Sequence, residues 1–189
     1  MIKTKQDYIE YLKADEYALG LEGKKYWEKF RNPIYRFQKR LRFAEYINNV
    51  YSGKLWAPLR HFSNYRYSSV GLKLGFSIPL NVFGKGLAIA HYGTIIVNSH
   101  ASIGDYCLIN ADVNIGSSKG GSDFSPRIGK RVYIGPGAKL FGPIYIADDC
   151  AIGANSVVNK SFETPGVSIG GIPSKIISNR GSTGRIRYK

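Results

Sequence analysis

Val97-Asn-Ser-His-Ala-Ser-Ile103-Gly-Asp-Tyr-Cys-Leu-Ile109-Asn-Ala-Asp-Val-Asn-Ile115 places a branched aliphatic residue at every sixth position. The series resumes at Ile128, Ile134, Leu140, Ile146, Ile152 and Val158. A second line runs two positions ahead of it: Ala101, Cys107, Val113, Val132, Ala138, Ile144, Cys150 and Ser156, most of them small. A period of six fits neither an amphipathic helix nor a half-buried strand. It is the period of short strands and turns stacked as a parallel β-helix, three units to each triangular coil. The aliphatic line must point inward, because stacked coils are the only source of a core. The small line belongs near a corner, where room is short. Gly104, Gly116, Gly129, Gly135 and Gly153 each follow an aliphatic, where a tight turn favours a residue without Cβ.

The register breaks between Ile115 and Ile128. The step is thirteen residues where two repeats would take twelve, and Gly116-Ser-Ser-Lys-Gly-Gly-Ser-Asp-Phe-Ser-Pro-Arg127 reads as a loop. A loop thrown out of a solenoid is a favoured place for function. Upstream, Phe83, Ile89 and Ile95 extend the coil with a shift of two. The expected coil covers about residues 75–170, roughly five turns.

Composition narrows the rest. The chain has 189 residues, 43% of them hydrophobic, enough for one large or two small domains. The opening Met1-Ile-Lys-Thr-Lys-Gln-Asp-Tyr-Ile-Glu has no apolar run able to act as a signal peptide, and no stretch is long enough to span a bilayer. A cytoplasmic location is expected. Cys107 and Cys150 both fall on the small line and read as buried side chains, not as a disulfide or metal site. The net charge of +14 divides as +7 in residues 1–70 and +7 in 71–189. That even spread, without a recognition helix or zinc-finger spacing, argues against nucleic acid. It suits attraction to anions, such as a phosphorylated ligand or, at most peripherally, a membrane surface. A β-helix zinc site would need three converging histidines. The chain has only His61, His91 and His100, so no metal is expected.

Residues 1–70 lack the repeat and predict helices. Thr4 with Asp7 reads as a capping pair, followed by an apolar stripe at Tyr8, Ile9, Leu12 and Tyr17. Asn32-Pro33 opens a second helix bearing Tyr35, Phe37, Leu41, Phe43, Ala44, Tyr46 and Ile47, and a third is expected from Lys54 to about Ser69. The expected division is a helical domain at 1–70, a coil at 71–178 and a basic tail at 179–189. The helices would cap the first coil, form an oligomer interface, or both. The tail, with Arg180, Arg185, Arg187 and Lys189, would contact phosphates or be disordered.

The segment Gly84-Lys-Gly-Leu-Ala-Ile-Ala-His91, with Gly135-Pro-Gly-Ala138, Ile152-Gly-Ala-Asn-Ser156 and the closing Gly170-Gly-Ile-Pro-Ser-Lys175, resembles serine acetyltransferases and their relatives in polysaccharide gene clusters. The resemblance covers about residues 70–178. It implies a mainly β fold, a left-handed parallel β-helix behind N-terminal helices. It also implies a trimer or a dimer of trimers, and acetyl-CoA as acyl donor in the groove between subunits. His91 matches the family's catalytic histidine, a base that takes the acceptor's hydroxyl proton as the oxygen attacks the thioester. Gly135, Gly137, Ala138, Ala154 and Ser156 match small positions along the donor, and Asn159, Lys160 and Lys175 fall where relatives meet its phosphates.

Four family positions differ. The aspartate that orients the histidine is Phe76, and the aspartate preceding the histidine is Ala90. An arginine and a histidine of the loop are Phe124 and Ser125. Free serine needs partners for both of its charges, and unmatched polar groups are penalised. The expected acceptor is therefore a sugar hydroxyl on a capsular polysaccharide, exopolysaccharide or O-antigen intermediate, with Tyr92, Phe124 and Ser125 beside it. Serine O-acetylation is the alternative. A non-catalytic scaffold or anionic-ligand binder is a third reading. Ser77, Asn81 or a backbone carbonyl would orient His91.

Overall fold

The computed structural model describes residues 1–119 and 122–188, with no description of the Ser122 side chain. Gly120, Gly121 and Lys189, which belong to the expected loop and tail, lie outside the described residues. Four helices come first: α1 (Lys5–Ala18), α2 (Tyr26–Arg31), α3 (Pro33–Val50) and α4 (Ala57–Leu74), the last entered through a short 3-10 turn at Lys54–Trp56. The local reasons are those in the sequence. The Thr4 hydroxyl accepts from Asp7 N while the Asp7 carboxylate accepts from Thr4 N, closing a capping box. Asn32 Oδ1 accepts from Ile34 N and Tyr35 N, with Pro33 in the first turn. Helix α2 is a finding the sequence did not signal. It has six residues, no side-chain cap and no buried residue.

Strands of two to five residues then wind around three faces. The first face stacks Phe76–Ser77, Ile95–Val97, Val113–Gly116, Lys139–Phe141 and Val157–Val158. The second stacks Ser102–Ile103, Arg127–Ile128 and Tyr145–Ile146, extended at its ends by bridges from Phe83 and Phe162. The third stacks Ala88–Ile89, Leu108–Ile109, Tyr133–Ile134, Ala151–Ile152 and Ser168–Gly171. All these pairings are parallel, and the chain visits the faces in strict rotation. The coil ends in an antiparallel hairpin with Ser174–Ser178. Every aliphatic of the six-residue series is buried, from Val97 to Val158, and so is every residue of the small line.

Register explains both irregularities. Ile103 pairs with Ile128 while Ile115 pairs with Leu140. Ile115 and Ile128 therefore sit on consecutive faces, one repeat apart. The thirteen-residue step is a single corner lengthened by seven residues, not two repeats with one residue extra. Upstream, Ile89 pairs with Ile109 and Val97 with Ile115, whereas Ile95 pairs with Val113. Ile95 thus belongs to the small line. The shift of two is a local extension at residues 90–94, the turn that carries His91.

The cap and the coil share one apolar core in which Ile34, Phe37 and Leu41 of α3 meet Phe76 and Ile78. Beside it sits a fully buried guanidinium, Arg42. Its Nε and Nη2 donate to Asp15 (2.9 and 3.3 Å), its Nη1 to Glu45 (3.0 Å), and its Nη1 and Nη2 to the carbonyls of Phe83 and Gly84 (3.1 and 2.6 Å). Both carboxylates go on to accept coil amides, Asp15 from Leu87 and Glu45 from Asn81. The buried face of α1 is accordingly Ala14, Asp15 and Ala18, and the expected stripe of Tyr8, Ile9, Leu12 and Tyr17 is only half-buried.

Among the described residues the tail is held against the coil, with Arg180, Arg185 and Arg187 exposed. Gly181 and Ser182 are buried. Ser182 Oγ donates to the Arg131 carbonyl (2.6 Å) and its amide donates to the Asp149 carbonyl (2.9 Å). The Arg185 guanidinium lies over Tyr133 and that of Arg187 over Tyr17 of α1. The tail therefore runs back along the coil to the cap.

Candidate active site

His91 stands on the edge where the third face turns into the first. The turn is fixed from the cap side. Helix α4 ends at Gly75, whose φ of 79° is left-handed backbone that glycine supplies without strain. A Cβ there would come within 3.0 Å of the Gly93 carbonyl group. Gly93 N donates to the Leu74 carbonyl (2.9 Å) and Ile95 N to the Gly75 carbonyl (3.0 Å). The helix end thus holds the two-residue extension and leaves the His91 and Tyr92 side chains exposed. The His91 ring makes no hydrogen bond among the described residues. Neither side-chain candidate for its orienting partner, Ser77 or Asn81, is engaged with it, and no backbone carbonyl among the described residues accepts from it. Asn81 is bound to Asn49 and Glu45, and Ser77 lies in register with Ile96. Phe76, where the resemblance would place an aspartate, is buried against Phe37.

The corners below His91 stack in a column. Gly93 approaches Ala111 closely, Gly137 N donates to the Ala111 carbonyl (3.0 Å) and Asn155 N to the Pro136 carbonyl (2.9 Å). Asp112, Gly137 and Asn155 share positive φ here, a conformation that Asp, Asn and Gly tolerate best. The structure therefore brings Gly135, Gly137 and Ala154 onto the histidine's own edge. The Gly-Ile-Pro hairpin closes the far end of this edge. Gly171 N donates to Ser156 Oγ, Ser174 Oγ donates to the Val157 carbonyl, and Lys175 is exposed beside them. Ala138 and Ser156 are buried, so only their small size bears on the edge. Asn159 and Lys160 are exposed on the next edge, across the first face, with Lys160 Nζ over Phe162. His100 lies on that edge too, and His61 on α4.

The lengthened corner is the second feature. Ser118 N donates to the Phe124 carbonyl across the loop (3.1 Å), and Lys119 Nζ lies over the Phe124 ring. Ser125 is buried, and its Oγ donates to Asn98 Oδ1 (3.3 Å), which also accepts from His100 N. Ser125 thus braces the loop. It also lines, with Asp123, Arg127, Pro143, Ile144 and Tyr145, a cavity of ≈ 230 Å³. The cavity holds one carboxylate and one guanidinium. Sequence reading passed over both, because Asp123 and Arg127 match no motif and come together only through the loop's path.

Against known proteins, the chain matches the family model for the bacterial transferase hexapeptide (six repeats) over residues 125–160. It is serine acetyltransferase-like in sequence and in fold. It is 38% identical over 100 residues to the serine acetyltransferase of Mycobacterium tuberculosis, a match covering 52% of this chain and 43% of that protein. Among solved structures, serine acetyltransferase from Brucella abortus strain S19 superposes with a TM-score of 0.74 at 26% identity, over 95% of this chain and 72% of that one. The same protein in complex with coenzyme A gives 0.73 at 26% identity, over 95% and 71%. The chain spans less than half the length of the mycobacterial relative. Among the described residues, no helix is long and apolar enough to cross a membrane.

These findings correct the expected acceptor. The relatives and fold neighbours are serine acetyltransferases, which favours serine over a sugar of polysaccharide biosynthesis. The deduction rested on the side chains at four matched positions alone. The loop cavity carries a carboxylate and a guanidinium at positions no motif marks.

Proposed function

We propose that the chain is an acetyl-CoA-dependent serine O-acetyltransferase. The observation that carries this is His91, exposed on a stacked glycine- and alanine-lined edge in a serine acetyltransferase-like chain. In this reading the coil is left-handed and the protein a homotrimer, and the donor lies in the groove beside that edge. The small residues Gly135, Gly137 and Ala154 leave room for its pantetheine arm, and Lys175, with Asn159 and Lys160 on the facing edge, meets its phosphates. A cytoplasmic location, where acetyl-CoA is available, goes with this reading. His91 takes the proton of the serine hydroxyl as that oxygen bonds to the thioester carbonyl. When the carbon–sulfur bond breaks, the proton passes to the departing thiolate. In the homotrimer of this reading the lengthened corner of a neighbouring copy closes over the His91 edge. Arg127 there holds the serine carboxylate and Asp123 its ammonium, in place of the family contacts absent at Ala90, Phe124 and Ser125. Tyr92 and Phe124 wall the acceptor from water.

The test is coenzyme A release with L-serine as sole acceptor. His91→Ala is expected to lower kcat by about a hundredfold or more, and retention within about tenfold would remove the proposed base. Arg127→Gln is expected to raise the KM for serine by about tenfold to a hundredfold with a smaller change in kcat, the value of a charge-assisted hydrogen bond. No release at millimolar serine would reject the acceptor, and calorimetry showing no coenzyme A binding would reject the enzyme.

A further inference from the structure

The cap holds a feature that acyl transfer does not use. Between the helices lies a cavity of ≈ 320 Å³ lined by Arg36, Lys39, Arg40 and Arg66, with Tyr26 and Phe30 among its aromatic walls. A second opening shares Tyr26, Phe30 and Arg36 and adds Trp27 and Arg31. No carboxylate lines either one. Among the described residues none of these five cations forms an ion pair, and the nearby Glu16 is already taken by Lys29 and Tyr35. Arg36 Nε is buried with no hydrogen-bond partner. Lys39 Nζ rests over Tyr26, and Arg40 Nη1 donates only to the Arg66 carbonyl. Burial, with Arg66 and Arg36 close by, holds the Arg40 guanidinium below its ordinary pKa. Clustered cations without a counter-charge are costly when desolvated. They are retained most readily where an anion completes them, and guanidinium groups fit phosphate oxygens in pairs. The aromatic rim is built for a flat partner. Tyr26 and Phe30 stack 5.6 Å apart at 26°, and Tyr26 and Trp27 are about 60% exposed.

We propose that this cavity is a second ligand site, binding a small phosphorylated molecule with a flat ring, phosphate against Arg36 and Arg40 and ring against Tyr26 and Phe30. A second copy of the chain is a poor occupant, since it would bring like charges together. The site stands apart from the His91 edge and does not depend on the acceptor assigned there.

The experiment is calorimetric titration of the full chain, free of coenzyme A, with pyrophosphate and with adenosine diphosphate, the cap variants separating this cavity from the His91 edge. Saturable binding of one molecule per chain is expected, tighter for the nucleotide. Arg36→Gln and, on an exposed position where folding is not at risk, Arg66→Gln should each weaken it by about tenfold. Phe30→Ala should weaken the nucleotide but not pyrophosphate, and His91→Ala should leave both unchanged. Absence of saturable binding, or binding indifferent to both arginine variants, overturns the proposal. So does sedimentation with phosphatidylserine vesicles in the absence of any binding to the soluble phosphates, which would make the patch a lipid-surface contact.

Discussion

The coil and its cap are built on opposite chemistry. Inside the coil, from Ile95 to Ile169, column upon column of Ile, Val and Leu repeats the same contact, and few polar side chains reach the interior. Inside the cap the largest fully buried side chain is an arginine, and its five N–H donors are spent on two carboxylates and two carbonyls of the first coil. The contrast teaches what each part is for. Repetition supplies stability from neighbour to neighbour and tolerates small losses. A buried, fully satisfied ionic cluster contributes little net stability, but it admits one arrangement. Here that arrangement fixes α3 on the coil, and the neighbouring end of α4 positions the turn bearing His91.

The sharpest break in this comparison is Arg42→Ala. It strands Asp15 and Glu45 in the interior and is expected to cost about 3–5 kcal/mol, read by urea denaturation. Arg42→Lys should recover little, since an ammonium cannot reproduce the guanidinium fork. A loss below about 1 kcal/mol would show that the cluster is not the joint. Ile134→Ala, in the middle of the third face, is expected to cost about 3 kcal/mol. Unlike Arg42→Ala, it should leave the near-ultraviolet signal of the aromatic-rich cap intact. Thr4→Ala removes the capping box of α1 and should cost about 1 kcal/mol, again visible in urea. The smallest effect concerns acid. The Arg131 hydrogen bond holds the Asp149 carboxyl below its ordinary value. Its contribution is therefore present above the unfolded carboxylate pKa and lost as pH falls through the lower folded one. Solvent exposure keeps it small. Asp149→Asn should flatten the stability profile below about pH 4 and leave it unchanged at neutrality.

Cysteine reactivity sharpens the same contrast from the coil side. Burial pushes the Cys107 thiol up to about 12 and raises Cys150 as well. Neither should react with Ellman's reagent at pH 8 until the coil is unfolded. Rapid reaction in the native protein would mean that the columns open more readily than their packing implies.

Much of this was legible in the chain. The six-residue lines gave the coil, its core and its two irregular places, and Thr4 and Asn32 gave two helix starts. What escaped notice shares a cause. Helix α2 has no cap and buries nothing, so it leaves no pattern. Asp15, Arg42 and Glu45 look like surface charges: Arg42 and Glu45, three apart, read as an ordinary exposed helix pair, and their other partners are 27 residues or more away in sequence. The thirteen-residue step hid a seven-residue insertion, since spacing alone does not say which face comes next.

The sequence by itself determined the period, the inward-facing columns and the histidine beside them, because a repeat carries its geometry locally, in the alternation of aliphatic, small and glycine residues. Only the tertiary structure decided which corner each insertion lengthens, which charges lie inside, and where the tail runs. Those outcomes depend on parallel register between coils and on long-range partners for buried polar groups, and neither leaves a periodic trace in the chain.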